Sequence, residues 1–326
     1  MTQIKQFLVE NIRVPITADD GEIISLAERK ISGVIPNASV VRSSIYKRSV
    51  DARKKGNITF VCSVMTEAEV SGDVDERRLA SLGIKAASEP SVSFDAGAVK
   101  MTERPVVVGF GPAGMFASLY LAKYGFRPIV LERGSSCRKR IEALRRFTED
   151  GVLDTECNVQ FGAGGAGTFS DGKLTTRIND PYVRSVLRAF VDAGAPETIL
   201  TRAKPHVGTD VLTLVVENFH KMIAALGGEI RYDSKVSSIK GDTVCVNGER
   251  IRCGAVILAA GHSARDTFAE MNSLGYEMTA KPFSVGVRIE HLCRDIDRAM
   301  YGDEALSEVL GHAEYSLSLR SGERGV

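Results

Sequence analysis

The chain has 326 residues, 44% hydrophobic and 25% charged, the balance of an ordinary soluble globular protein with room for two domains. Its net charge of +1 argues against a general polyanion binder. No apolar run approaches the roughly 20 residues of a membrane span, and the start lacks a signal peptide's basic and apolar blocks, so a cytoplasmic protein is expected. No C-x-x-C or zinc-like spacing occurs, which predicts reduced structural thiols and no metal site for Cys62, Cys137, Cys157, Cys245, Cys253 and Cys293.

Residues 1–100 are predicted to form a separate small α+β domain. Alternating apolar residues from Phe7 to Val14 indicate a first strand, and a helix pattern follows that ends near Ile31. Two further strand patterns flank a turn at residues 54–57. This β-α-β-β order favours a ferredoxin-like arrangement.

The second and third of these strands form a basic hairpin. Its acid is Asp51, and its cations are Arg42, Lys47, Arg48, Arg53, Lys54 and Lys55. One interpretation is a surface for an anionic ligand or RNA; the other, which we favour, is the solvated face of a strand. The segment from Ser88 to Glu103 contains Pro90 and several small residues, which predicts a linker into the next domain.

Residues 106–134 are predicted to form one βαβ unit. The run Val106–Val108 is β-branched, as is typical of a strand buried on both faces. A helix pattern and a second strand follow, and Glu132 closes the second strand. Three glycines in G-x-G-x-x-G spacing lie between the first strand and the helix: Gly109, Gly111 and Gly114. The agreement of all these parts favours a dinucleotide site over an ordinary buried βαβ unit.

Each residue of this turn has a physical task in binding a diphosphate. Gly109 permits the tight turn, Gly111 lets the ligand approach the backbone, and Gly114 lets helix and strand pack closely. Pro112 suits the first helical turn, where its missing N–H is no loss. The N–H groups and dipole of the helix start attract phosphate, and Glu132 is predicted to accept hydrogen bonds from a ribose.

A basic helix is predicted from Cys137 to Phe147, and one of its arginines is a candidate for a cofactor phosphate. Beyond it, the stretch Asn158–Ile178 contains a glycine loop with Gly162, Gly164, Gly165, Gly167 and Gly172. A flexible linker would be low in complexity, whereas this loop is interrupted by specific residues such as Phe169 and Asp171. Because successive exposed N–H groups can line a phosphate or an electron-rich ring, the loop is predicted to contact a cofactor.

The rest of the chain alternates helices and strands. Helices are indicated at 183–191 and 209–223, and antiparallel strands from Ile230 to Arg252 turn at Asn247-Gly248. Ala255–Leu258 is predicted to be a buried strand that ends before Gly261, where a ligand can touch the backbone.

A βαβ fingerprint, a β-meander and a strand ending in Ala259-Ala260-Gly261 occur in the same order in two-dinucleotide-fold flavoproteins of the glutathione-reductase type, which the chain resembles. The form V-x-G-x-G-P-A-G is typical of their FAD site. More closely, the chain resembles a bacterial family of uncharacterised FAD-dependent dehydrogenases. The matching stretches, from Lys47 to His291, are KRSVDARKK, VVVGFGPAG, NVQFGAGGAGTFSDGKLTTR, KPHVGTD, LAAGHSARDTF and KPFSVGVRIEH.

This resemblance implies an α/β fold with FAD as cofactor. The FAD-binding domain would cover 101–275, with a Rossmann-like βαβ sheet, a β-meander and an inserted helical region at about 140–205; the start of a cap or substrate domain would cover 276–326. The flavin would take a hydride at N5 while the protein supplies orientation and electrostatics. The residues assigned to FAD are Gly109, Gly111, Pro112, Ala113, Gly114, Glu132, Arg133, Arg140, Gly165, Ala166, Gly167, Thr168, Val236, Ala260 and Gly261.

The sequence departs from the family pattern at three places. Ala163 stands where the family has an acid, and Leu292 follows His291 where it has proline. Flavoproteins of this type also end with a glycine-rich segment that closes over the flavin ring, whereas this chain ends at RSGERGV. A truncated family member or fragment is therefore expected, with an exposed apolar gap near Gly261 and the Gly165 loop and with FAD binding that is weak or absent.

Catalytic residues are assigned from residue chemistry alone. Lys173 is a candidate for stabilising reduced flavin or an anionic substrate, or is a solvated lysine. His262 is a candidate for proton transfer, or caps the following helix. Arg177 and Arg288 are candidate anion clamps.

The leading function is an FAD-dependent oxidoreductase of unknown substrate. One alternative is an NAD(P)H-binding reductase that uses the same fingerprint. The other is a non-catalytic flavin-binding or RNA-associated protein that works through the basic hairpin. We expect no membrane partner, favour a small molecule over nucleic acid, and obtain neither substrate, electron acceptor nor oligomeric state from the sequence.

Overall fold

The computed structural model describes residues 2–72, 74–87, 93–94, 97, 100–170, 172–174, 176, 178, 180, 182–283, 285–287, 289–302, 309–315, 320–321 and 324–325. The chain divides into two compact units. The first unit comprises Met1–Glu89, Leu200–Ala203 and Phe283–Val326, and the second comprises Pro90–Ile199 and Lys204–Pro282. The domain boundaries expected from the sequence remain predictions.

The first unit begins with a four-stranded sheet and two helices. The elements are β1 (Thr2–Pro15), α1 (Asp20–Val34), β2 (Ser39–Asp51), β3 (Thr59–Ser71), α2 (Glu76–Ser81) and β4 (Ile84–Ala86). The strand order is β2-β3-β1-β4, and every pair is antiparallel. The predicted β-α-β-β order is present, and α2 and β4, which the sequence analysis missed, extend it to the β-α-β-β-α-β order of split βαβ folds.

Helix α1 begins at a capping box and packs one face on this sheet. The Asp19 side chain accepts from the Glu22 N–H, and the Glu22 side chain accepts from the Asp19 N–H. Ile23, Ala27 and Ile31, spaced four residues apart, are fully buried in the core. On the basic hairpin, Arg42, Arg48 and Arg53 form ion pairs with Glu67, Asp20 and Asp51.

The second unit is built on a four-stranded parallel sheet, which is followed by an antiparallel meander of three strands. In chain order the elements are β5 (Val106–Val108), α3 (Pro112–Lys123), β6 (Ile129–Leu131), α4 (Cys137–Asp150), α5 (Tyr182–Asp192), α6 (Thr209–Ala225), β7 (Glu229–Arg231), β8 (Val236–Lys240), β9 (Thr243–Val246), β10 (Glu249–Arg252), β11 (Val256–Leu258) and α7 (Arg265–Ser273). The sheet has the strand order β11-β5-β6-β7, and the meander is β8-β9-β10.

The parallel sheet buries both of its faces at its centre. Val107 and Val130 join a core with α3 and α6, whereas Val106, Val108 and Ile129 join a core with the meander. Alternate residues point to opposite faces of a strand, so a run such as Val-Val-Val is what a two-sided strand requires. The sequence predicts this burial for β5, and the structure confirms it.

The sequence predicts that strand β11 is buried, but two of its three residues are exposed. Ile257 is 36% exposed and Leu258 41% exposed. Within the described part of the sheet β11 is an edge strand, with β5 as its neighbour, and these two adjacent residues point to opposite faces. These residues lie three and four positions before Gly261, near which apolar exposure is expected.

The last described elements belong to the first unit: α8 (Cys293–Tyr301), β12 (Arg320–Ser321) and β13 (Arg324–Gly325). Tyr301 and Leu310 are buried in the core that contains α1. Among the described helices, none is long and apolar enough to span a membrane.

Candidate functional site

The turn between β5 and α3 has room for glycine alone at two positions. A Cβ at Gly109, where φ is +101°, would lie 2.4 Å from the carbonyl oxygen of Ala259. A Cβ at Gly114 would lie 1.9 Å from the carbonyl oxygen of Gly109. These contacts hold the helix start against β5 and against the segment after β11.

The start of α3 has the chemistry of an anion site. Gly111 is the N-cap, and glycine has no side chain with which to cap the first N–H groups. Pro112 is the first helical residue, and Pro112 and Ala113 are exposed. An exposed helix start whose N–H groups have no side-chain acceptor attracts a phosphate through its donors and its dipole, so these residues fit a diphosphate.

Glu132 follows β6 and faces this turn from a buried position, 4% exposed. Its Oε2 accepts the N–H of Phe110 at 2.7 Å. Its Oε1 accepts the N–H groups of Gly134 and Gly162, both at 2.9 Å. One carboxylate therefore joins the β5–α3 turn, the end of β6 and the glycine loop.

These bonds limit what else Glu132 can do. A carboxylate has about four acceptor positions, and three are occupied here by backbone N–H groups. About one position remains for a ribose hydroxyl. The sequence predicts the position of Glu132 at the strand end. It does not predict that the carboxylate accepts hydrogen bonds from three backbone N–H groups.

The glycine loop lies beside the start of α3, where the sequence analysis expects it. A Cβ at Gly165 would lie 3.0 Å from the Cα of Gly111, and the N–H of Gly164 donates to the carbonyl of Phe110 at 2.8 Å. Gly165–Gly167 form one turn of 3₁₀ helix, and Ala166 is exposed at its centre. The loop thus has a buried base and an exposed crest.

Arg140 makes a different contact from the expected phosphate contact. The guanidinium is fully buried and donates to backbone carbonyls of the glycine loop and of the residues just before it. Those bonds direct it into the loop rather than towards a ligand. Arg140 and Cys137, three residues apart, are the buried residues of α4. That spacing puts Arg140 on the helix face that packs inward, a signal that was present in the sequence.

Arg133, also assigned to the cofactor, belongs to a four-charge network. It bonds to Glu156 at 2.7 Å and to Asp266 at 2.9 Å, and it lies 4.0 Å from the ring centre of Phe161. Lys235 pairs with the same two acids, at 2.9 and 2.8 Å. The network ties the segment just before the glycine loop and the residue before β8 to α7.

This network has an expected pH dependence. The hydrogen bond from Arg133 holds the pKa of Asp266 well below its usual range; burial opposes this shift and Lys235 adds to it. A depressed folded-state pKa gives stability that is present above the unfolded pKa of about 3.9 and is lost as the pH falls through the folded value. Asp266→Asn should therefore cost about 1 kcal/mol or less at pH 7, since the carboxyl is 44% exposed.

Urea unfolding of Asp266→Asn and the parent chain between pH 7 and pH 2 measures this effect. The difference between them should shrink below pH 4. Asp150→Asn, at the exposed end of α4, is the control and should show no such convergence. A constant Asp266→Asn difference across the range would contradict the assignment.

Lys173 lies on a short strand bridge that closes the glycine loop. It opposes His206 in an antiparallel bridge, and both side chains are exposed. The N–H of Val207 donates to the carbonyl of Gly172 at 2.8 Å, and a Cβ at Gly172 would overlap the carbonyl oxygen of Val207, at 1.4 Å. The SDGKL and KPHVGTD segments therefore meet, and His206 is a titratable neighbour of Lys173 that the sequence analysis missed.

The other candidates lie around the end of β11 and the start of the meander. Ala260 lies beside Gly109, since a Cβ there would be 3.3 Å from the Cα of Ala260. Gly261 is exposed with φ of +76°. His262 is exposed and Ala264 is the N-cap of α7, so His262 is not that cap.

Two further assigned residues lie near the loop and the meander. Val236 is buried at the start of β8. Thr168 is buried, and its Oγ1 donates to the carbonyl of Ala163 at 3.0 Å. Asp171, Arg177 and Arg288 lie outside the described residues.

Two family models match parts of the chain. Residues 282–326 match the model described as "FAD-dependent protein, C-terminal domain-like". Residues 8–67 match the model described as "Domain of unknown function (DUF8436)". Both matched segments lie in the first unit, apart from residue 282.

An uncharacterised protein of Clostridium beijerinckii is 42% identical over 324 residues, which cover 96% of this chain and 59% of that protein. The chain thus spans about 59% of the length of this curated relative. Among solved structures, glycine oxidase from Bacillus cereus has a TM-score of 0.33 at 13% identity, covering 49% of this chain and 55% of that one. THI4 from Thermovibrio ammonificans has a TM-score of 0.37 at 16% identity, covering 54% and 64%. Scores this low carry no argument about function.

Proposed function

We propose that the second unit binds FAD at the start of α3 and that the chain belongs to an FAD-dependent oxidoreductase whose substrate is unidentified. The observation that carries the proposal is the convergence of an exposed, glycine-capped helix start, a buried carboxylate and a glycine loop at one end of a parallel sheet. The description of the family model over residues 282–326 supports the choice of FAD.

In this proposal the chain's own groups bind and orient the cofactor. The N–H groups of Ala113 and Gly114 at the helix start hold the diphosphate, and Glu132 offers its remaining acceptor position to the ribose. The residues from Gly165 to Thr168 lie towards the flavin, Val236 lies near the adenine, and Ala260 and Gly261 lie near the diphosphate or ribityl chain. FAD, when bound, supplies a hydride acceptor.

The catalytic part of the proposal is limited to two exposed groups. Lys173, with its positive charge, is proposed to stabilise negative charge on the reduced cofactor or the substrate. His262, which directly follows Gly261, is proposed to transfer a proton because an imidazole ring can both donate and accept one. Both roles depend on FAD binding at the start of α3.

The cofactor itself is tested by mass spectrometry of the small molecule extracted from purified protein, and by equilibrium dialysis of the chain against FAD. Recovery of FAD, or saturable FAD binding, supports the proposal. Recovery of a nicotinamide nucleotide would support the alternative NAD(P)H-binding reductase and overturn the choice of FAD.

We expect Ala113→Glu to weaken FAD binding about tenfold or more. The new carboxylate would lie at an exposed position in the first turn of α3, where it repels the diphosphate and competes for the helix start. Since Ala113 is exposed, the fold should tolerate the change. Equilibrium dialysis gives the dissociation constant, and the effect should weaken as salt is raised.

The matched control is Lys123→Gln, which changes the net charge by the same −1 at the other, exposed end of α3. It should leave FAD affinity within about twofold. Equal affinity losses in both variants would show that overall charge, rather than the start of α3, governs binding.

A further inference from the structure

Arg140 is a charged side chain in the interior of the second unit, with no exposed surface. It makes four hydrogen bonds, all to backbone carbonyls: two in the glycine loop and two in the residues just before it. Nε donates to Asn158 at 2.8 Å, and Nη2 donates to Val159 at 2.7 Å. Nη1 donates to both Ala163 and Gly165 at 2.8 Å.

A buried guanidinium needs strong compensation, because removal from water is costly for an ion. Burial lowers the pKa of Arg140, and the negative charge of Glu132 opposes that shift. The four carbonyls and the ring of Phe169, 4.8 Å from the guanidinium carbon, provide the compensation. Only the planar fork of arginine can donate to four carbonyls at once, so lysine is no substitute.

The loop is held from the opposite side as well. Gly162 donates its N–H to Glu132, and a Cβ at Gly162 would lie 2.6 Å from the Cδ of Arg140. Gly162 therefore lies between a buried carboxylate that accepts from the loop and a buried guanidinium that donates to it. Both contacts are made between groups of the chain itself.

We propose that Arg140 is a positioning residue that holds the glycine loop in its FAD-binding shape before FAD arrives. By binding the carbonyls of Ala163 and Gly165, it fixes the base of the loop beside Gly111 and leaves Ala166 and Gly167 exposed at the crest. A preformed loop spares the ligand the entropic cost of ordering it. This inference rests on the proposed FAD site.

Arg140→Ala tests the proposal through two readouts. Amide hydrogen exchange across residues 156–168 of the FAD-free protein measures the order of the loop, and equilibrium dialysis measures FAD affinity. We expect faster exchange in that segment and a loss of FAD affinity of about tenfold or more. Added guanidinium ion, far below denaturing concentration, should fill the vacated position and restore both.

Arg145→Ala is the matched control, since Arg145 lies on the same helix, is half exposed and pairs with Glu142. It should change neither readout, and guanidinium should have no effect on it. Arg140→Lys keeps the charge but not the fork, so it should behave like Arg140→Ala without rescue. It is also the variant to use if Arg140→Ala does not fold.

The outcomes separate this inference from the proposed function. If the unaltered chain binds no FAD, the proposed function fails, while hydrogen exchange of the free protein still measures whether Arg140 orders the loop. Slow exchange at residues 156–168 in folded Arg140→Ala or Arg140→Lys would overturn the positioning role. Fast exchange of the same segment in the unaltered protein would also overturn it. An FAD affinity that neither variant changes would do the same.

Discussion

Replacing Gly114 with alanine is expected to destabilise the second unit by about 3 kcal/mol or more. The new methyl group would lie 1.9 Å from the carbonyl oxygen of Gly109, and this backbone atom cannot rotate away as a flexible side chain would. Relief requires moving α3 away from β5, which also moves the N–H groups that the proposed FAD site uses. The higher helix propensity of alanine returns only about 1 kcal/mol.

Urea unfolding measures this loss as a lower transition midpoint with an unchanged slope. The control is Gly167→Ala in the glycine loop, where a Cβ would meet nothing within 4 Å. Its unfolding free energy should stay within about 0.5 kcal/mol of the parent. Gly114→Ala with the stability of this control would contradict the close packing of α3 on β5.

The sequence predicts those parts of the site at which a local steric constraint admits one type of residue. Gly109 and Gly114 are needed because backbone atoms approach their Cα atoms, and that need shows in the spacing of the motif. The run Val106–Val108 indicates a strand buried on both faces for the same reason. The glycine loop is dense in glycine because Gly165 and Gly172 lie against other backbone segments.

The parts that the sequence does not predict depend on contacts between distant segments. Arg140 in a basic helix resembles its solvated neighbours until the loop carbonyls are placed around it. The apolar run of β11 encodes neither its place at an edge of the described sheet nor the exposure of Ile257. Helix α2 and strand β4 are short, and short elements carry weak periodic signals.

Glu132 connects the dinucleotide motif with the glycine loop, so its substitution should affect both stability and binding. Glu132→Gln keeps the shape of the side chain but replaces one acceptor oxygen with an NH₂ donor. Whichever way the amide is turned, this donor faces the N–H of Phe110 or those of Gly134 and Gly162. At least one buried N–H then loses its acceptor.

We expect Glu132→Gln to lower the unfolding free energy by about 3 kcal/mol, since each buried polar group left unsatisfied costs about 1–3 kcal/mol. Glu132→Ala leaves three such groups and should cost more. The loss should appear in urea unfolding without FAD, because all three donors to the carboxylate are N–H groups of the chain's own backbone. Glu217→Gln, at an exposed position on α6, is the control and should change stability by less than about 0.5 kcal/mol.

The same variant separates the backbone role of Glu132 from its ribose role. If the carboxylate also accepts from the ribose, FAD affinity of folded Glu132→Gln should fall by more than its stability loss alone explains. Arg140→Ala disturbs the loop but keeps the carboxylate. The amount by which the loss of FAD affinity in Glu132→Gln exceeds that in Arg140→Ala therefore measures the ribose contact. FAD affinities that match between these two variants would assign Glu132 to holding the loop alone. Full stability of Glu132→Gln without FAD would contradict the backbone role, because the amide cannot satisfy all three N–H groups.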